Sequence, residues 1–230
     1  MFLRKSEPTP PPIMVWAWER PEDLSFVDPR EVGVAFLSRT IHIRSEGVHV
    51  CPRLQPLRVP EGAYLTAVVR IETERKKPLR DTSELRPQMT SAIIEAVKMR
   101  GVSALQIDFD AKVSERAFYR ALLQDMRRLL PKSIALSITA LASWCLHDDW
   151  LSGLPVDEVV PMLFRVGPDR DQVFFHLEKG GDFAPICRRS IGISTDEGRP
   201  RLPPGRRLYL FHPGPWSEGA LRKIMSEVRP

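Results

Sequence analysis

The sequence predicts an α/β fold, a (β/α)8 barrel of the TIM type in which some helices are replaced by loops. Three observations lead there. Eight short, apolar, β-rich runs recur along 230 residues, leaving about 29 residues per unit, near the lower end of the range for such barrels. Most of these runs are continuous rather than alternating, as in parallel strands buried on both faces. Helical periodicity separates several of them, and no Gly-x-Gly-x-x-Gly turn marks an open doubly wound sheet.

Residues 1–12 read as a Pro-rich tether and residues 13–230 as one barrel domain. The expected strands are Ile13–Trp18, Gly33–Leu37, Tyr64–Ile71, Ala104–Phe109, Ile134–Ala140, Glu158–Phe164, Ser190–Ile193 and Leu208–Phe211. A helix over 88–100 places Ala92, Ile93, Ala96 and Val97 on one face, with Gly101 as its stop. A second over 115–130 repeats Phe118, Leu122, Met126 and Leu129, with Ser114 as N-cap and Pro131 as terminator. Weaker periodicity covers 169–179, and a last helix covers 217–228. Residues 44–63 and 194–207, rich in Pro, Arg and Gly, predict loops in place of helices.

Composition narrows the function classes. Hydrophobic residues at 43% and charged residues at 27% exclude disordered and fibrous chains. The net charge of +5 is spread in pairs such as Lys76-Lys77, Arg127-Arg128, Arg188-Arg189 and Arg206-Arg207, and acidic residues interleave with them. That describes a solvated mixed surface rather than a nucleic-acid groove. No apolar run approaches the roughly 18 residues of a membrane span. The compartment stays open, being cytoplasmic for this chain as it stands and envelope or periplasmic if a signal precedes it. The three cysteines, Cys51, Cys145 and Cys187, form no Cys-x-x-Cys pair, so buried thiols are expected rather than a disulfide framework or zinc ribbon.

Barrel enzymes gather their active sites at the C-terminal strand ends. There the fourth strand carries Gln106-Ile107-Asp108-Phe109-Asp110, and alternation sets Gln106, Asp108 and Asp110 on one face. Paired inward carboxylates are costly unless bonded or functional, and neighbouring like charges raise one pKa. A carboxylic acid that keeps its proton is what glycosidic cleavage requires. Tryptophans fall at or beyond strand ends too: Trp18, Trp144, Trp150 and Trp216, whereas Trp16 reads as core filling. Flat rings around a pocket suit sugar faces.

Four stretches carry a family likeness: Val15–Pro21 (Val-Trp-Ala-Trp-Glu-Arg-Pro), Leu105–Glu115, Leu136–Cys145 and Val160–Arg165 (Val-Pro-Met-Leu-Phe-Arg). They resemble an uncharacterised bacterial family, a domain of unknown function, whose resemblance implies a barrel related to glycoside hydrolases. A more distant likeness runs to the chitinase-type hydrolases of family 18, whose fourth strand reads Asp-x-Asp-x-Glu. By that likeness Gln106 replaces the first Asp, Asp108 matches the second, and Asp110 stands for the catalytic Glu. Met162, Phe164 and Arg165 match the sixth-strand Met-x-Tyr-Asp only in part.

Absences narrow the chemistry. The chain has no asparagine, no Gly-x-Ser-x-Gly elbow, no phosphate-binding Gly-x-x-x-x-Gly-Lys loop and no His-x-x-x-His spacing. No cofactor or metal is therefore expected, and His147-Asp148-Asp149 reads as a solvated loop. The sequence points to a carbohydrate-active hydrolase acting on a glycosidic bond. Asp110 is the general acid, Asp108 orients it or stabilises charge, and Glu72 or Glu19 is the candidate second carboxylate. Arg70 and Arg165 would hold charged or hydroxyl groups, with Gln106 and Met162 beside them, and Trp18, Trp144 and Trp216 would line sugar subsites. The alternative is a degenerate barrel that binds glycan or envelope material without cutting it.

Overall fold

The computed structural model describes residues 9–74, 77–79 and 81–228. Eight parallel strands close into a barrel: β1 (Ile13–Ala17), β2 (Val32–Arg44), β3 (Leu65–Thr73), β4 (Val102–Asp108), β5 (Ala135–Leu141), β6 (Glu158–Met162), β7 (Ser190–Ser194) and β8 (Arg207–Phe211). Each pairs with its sequence neighbours, and β1 closes the circle by pairing with both β2 and β8. The helices are α1 (Leu85–Val97), α2 (Arg116–Leu129), α3 (Trp144–His147), α4 (Arg170–Glu178) and α5 (Glu218–Val228). Of the Pro-rich tether, residues 1–8 lie outside the described residues. Its end, Pro12, accepts the Leu208 backbone N–H at 2.9 Å and so runs into β1 beside β8.

Continuous apolar strands make physical sense here because both faces are covered. In β1 all five residues are buried. Ile13, Val15 and Ala17 join the layer under the helices, whereas Met14 and Trp16 belong to a second, lumenal cluster with Ala35, Val68, Val160 and Tyr209. A ring as large as indole fits because Gly192 faces it: a Cβ there would lie 2.8 Å from Trp16 Cη2. The helices follow the same logic, α2 burying Phe118, Tyr119, Leu122, Leu123 and Met126 along one face.

Four local expectations need correction. Helix α1 runs from Leu85 to Val97, three residues earlier than its apolar spacing suggested, and the chain turns at Gly101 in the left-handed region, φ +83°. Ser114 does not cap α2. A single turn over Val113–Glu115 precedes the helix, and the buried Glu115 carboxylate accepts the Lys112 backbone N–H at 2.8 Å. Helix α3 has only four residues, too short for periodicity to reveal. The buried-thiol expectation fails for all three cysteines: Cys145 on α3 and Cys187 before β7 form a disulfide, and Cys51 is free but exposed. Their pairing across 42 residues was invisible to spacing.

The segments expected to lack helices do lack them. Strand β2 runs on past the barrel and folds back as the antiparallel strand Gly47–Pro52. A small two-strand pairing, Glu22–Asp23 with Leu57–Arg58, stitches the loop after β1 to the following segment. Among the described residues no helix is long and apolar enough to cross a membrane.

The disulfide closes a long loop, so the Cys145→Ala variant should lose about 2–4 kcal/mol of stability. Denaturant unfolding with and without a reductant checks this. Alkylation of the unreduced, unfolded chain should label one thiol, Cys51; labelling of three would contradict the bridge.

Candidate functional site

At the C-terminal mouth a cleft of about 240 Å³ opens between β1, β3, β4, β5, β6 and β8. Strand alternation delivers its chemistry. Phe109 turns outward and packs edge-on against Tyr119 at 5.1 Å, so its neighbours Asp108 and Asp110 both turn to the cleft. Gln106, one step deeper, is fully buried. It accepts the Trp16 Nε1–H at 2.8 Å and donates to Ser137 Oγ at 3.3 Å. Gln106 thus fixes the cleft floor from below instead of lining it.

The two aspartates differ in their surroundings. The Asp108 side chain is 12% exposed and accepts a hydrogen bond from Thr139 Oγ1 at 2.6 Å, with Arg70 Nη1 4.0 Å away. Burial pushes its carboxyl up from the usual range; Thr139 and Arg70 oppose this, and the charges of Asp110 and Glu72 reinforce it. Asp110 shows surface to the cleft, and among the described residues no hydrogen bond or ion pair holds its carboxylate. The protein crowded around it nevertheless pushes it up, against the nearby Arg70 charge. One acid is therefore anchored and the other unanchored, within the same pocket.

A polar chain runs from this pair to the rim. Arg70 Nε lies 2.7 Å from Glu72 Oε1, and Glu72 Oε2 lies 3.2 Å from His42 Nδ1. His42 reaches Glu72 because a bulge between Leu37 and Arg39 shifts the register of β2. Val34 and Phe36 pack outward before it, and Ile41 and Ile43 after it. Glu72 sits outside the cleft lining and orients Arg70, whose guanidinium also lies 5.7 Å from the Trp18 ring.

Of the residues singled out in sequence, Trp18, Arg70, Asp108, Asp110, Met162 and Arg165 come together around the cleft. Glu19 is exposed and lies outside it. Trp144 and Trp216 are core residues, not cleft walls. Trp144 is buried against Trp150, its ring 5.0 Å away. Trp216 donates its Nε1–H to the Trp16 carbonyl at 2.9 Å from outside the barrel. Both lie past strand ends, but their apolar bodies go to the layer beneath the loops. Trp16, read as core filling, forms the cleft floor as well.

The remaining aromatic wall is Phe164 and Phe211, stacked at 5.4 Å with planes 5° apart. Their positions at strand ends were visible; their mutual stacking was not. Glu197, in the loop after β7, is a site residue that sequence reasoning did not single out. Its two carboxylate oxygens accept the Arg165 backbone N–H at 3.2 and 3.1 Å. Among the described residues no group of three metal-ligating side chains could hold an ion, and Asp148 pairs with Arg116 at 2.7 Å.

Residues 61–183 match the model of a family described as Domain of unknown function (DUF3142). The crystal structure of the Bacillus cereus spore cortex-lytic enzyme SleL is similar over 81% of this chain and 51% of that one, with a TM-score of 0.50 and 16% identity. Similarity at that identity shows a shared fold, and this chain spans about half that enzyme's length. No curated protein matches the sequence.

For an acid whose folded-state pKa is raised, ionisation erodes stability as pH climbs from the unfolded value through the folded one, and the loss is complete above it. Asp110 is such an acid. Asp110→Asn should therefore melt higher than the native protein near neutral pH, and the two should converge below about pH 4. Thermal unfolding at both pH values checks the sign; a less stable variant at neutral pH would contradict the crowding described for Asp110.

Proposed function

Because the chain belongs to the DUF3142 family, described as a domain of unknown function, its activity must be read from its own cleft, and we propose that it hydrolyses a glycosidic bond with Asp110 as general acid. The observation that carries this reading is the unequal pair of aspartates on one strand end, facing an aromatic-walled cleft. Among the described residues no hydrogen bond or ion pair holds the Asp110 carboxylate, and burial raises its proton affinity, which suits it to donate a proton to the departing glycosidic oxygen. Asp108, anchored by Thr139, stabilises the positive charge that develops on the sugar ring; water bonds to the anomeric carbon as the leaving oxygen departs, and its proton returns the Asp110 carboxylate to the acid form.

This assignment makes Asp108 the second carboxylate instead of Glu72 or Glu19, since both of those lie outside the cleft lining. Glu72 is a positioning residue: it holds Arg70, whose guanidinium lies 4.0 Å from Asp108 and tempers the negative charge there. Trp16, Trp18, Phe164 and Phe211 supply flat apolar faces for a sugar. The fold shared with a spore cortex-lytic enzyme agrees with a glycan of the cell envelope as substrate.

The test is reducing-end release from a panel of polysaccharides and oligosaccharides. Asp110→Asn should lower the rate by about 10²–10⁴-fold and remove the alkaline fall of the native pH profile, which reports loss of the acid's proton. Release that persists undiminished in Asp110→Asn would overturn the assignment. Glycan binding without release, unaffected by the substitution, would instead identify a barrel that binds and does not cut.

A further inference from the structure

Two arginines line the cleft, and the structure sorts them. Arg70 is neutralised by Glu72 and Asp108. Arg165 is exposed at the opposite wall, and among the described residues its guanidinium has no carboxylate or carbonyl partner. It lies over the Phe211 ring, 5.1 Å from the centroid, and Phe211 stacks in turn on Phe164. The cation is thus held on a rigid aromatic shelf with its donors unused.

The backbone at this position is also unusual. Among the described residues Arg165 is the one non-glycine with a positive φ, 51°. A side chain in the left-handed region is costly and persists where surroundings over-determine it, often at ligand clamps. Here the determinant is Glu197. Both its oxygens take the Arg165 N–H, and no ion pair links that carboxylate to the guanidinium. A surface arginine that merely packed on a ring would need neither the strained backbone nor the dedicated acceptor.

We propose that Arg165 forms an anion subsite, that Glu197 is the positioning residue that aims it, and that the substrate is an acidic saccharide bearing its anionic group on the sugar beside the Phe164–Phe211 wall. The planar guanidinium fork pairs with two oxygens of a carboxylate or sulfate. This inference rests on the proposed glycan-cleaving reading for its choice of ligand, but its test needs no cleavage.

Binding is measured by calorimetry on Asp110→Asn protein, so that the probe survives. The probes are a tetrasaccharide of alternating glucuronic acid and N-acetylglucosamine, the same molecule with its carboxyls reduced to hydroxymethyl groups, and that reduced molecule carrying sulfate esters. The acidic forms should bind at least about tenfold tighter than the reduced one, the factor expected of one charge-assisted contact. Adding Arg165→Gln should abolish that preference while leaving affinity for the reduced probe within about twofold. Adding Glu197→Gln, which keeps the cation but weakens its clamp, should reduce the preference in part, and Glu197→Asp should restore some of it. Which of carboxylate and sulfate binds tighter names the source of the anion. Equal binding of all three probes, a preference that survives Arg165→Gln, or no binding of any probe would overturn the subsite. Cleavage of neutral glycans alone would sink the anion subsite and leave the hydrolase; acidic preference without any cleavage would do the reverse.

Discussion

A closed barrel must fill its own lumen, and here an indole leads the cluster that does so. Trp16 projects from β1 into the space opposite Gly192, touches Phe164 and Tyr209, and gives its N–H to Gln106 across the barrel. A buried indole N–H without an acceptor would carry a desolvation cost, so Gln106 in the middle of β4 is the complement of Trp16. That match sets the floor of the cleft at the mouth, while a separate cavity opens at the other end of the barrel beside Thr66, Ser137 and Glu158. It also sets the height at which Asp108 and Asp110 emerge, one and two inward steps beyond Gln106 on the same strand. Trp216 secures the same residue from behind through its backbone carbonyl.

Much of this was legible in sequence. The eight strands were, because burial on both faces leaves runs with no alternation to misread. So was the acidic pair, since period-two alternation needs no tertiary information. What sequence could not supply was contact between separate strand ends. Trp18 and Trp144 look alike on paper; one faces the cleft and the other the layer beneath a four-residue helix. The bulge in β2 that brings His42 to Glu72 has no signature in Phe36-Leu37-Ser38-Arg39. Cys145 and Cys187 meet only because β5 and β7 lie two strands apart on one wall.

The electrostatics of the mouth are graded by partner count. Glu72 meets Arg70 and the His42 ring, and Asp108 one hydroxyl and a more distant cation, while Asp110 has no bonded partner among the described residues. Burial raises the proton affinity of both aspartates, and the Thr139 hydrogen bond opposes it at Asp108 alone. Arg70 and Arg165 show the matching contrast among cations. The family-matched span, 61–183, includes both aspartates and both arginines, whereas Trp16, Trp18, Phe211 and Glu197 lie beyond it. The charged groups and most of the surfaces that shape their setting therefore come from different parts of the chain.

Strand β1 has a partner on each side, and the two are far from equal in sequence. Ile13 pairs with Val32 on one side and with Leu208 on the other. The second partner lies nearly two hundred residues further along the chain, so the barrel closes only when β8 meets β1. Contacts of such long separation slow folding, because the entropy of closing the loop is lost before the pairing compensates for it. Until then one edge of β1 stays unpaired, with the Trp16 side of the lumen incomplete. The carbonyls of Pro11 and Pro12 that receive Arg207 and Leu208 lie on that same edge. The eighth strand is thus received by the residues that lead into the first, and the rate of that meeting sets how long the lumen stands open to other chains.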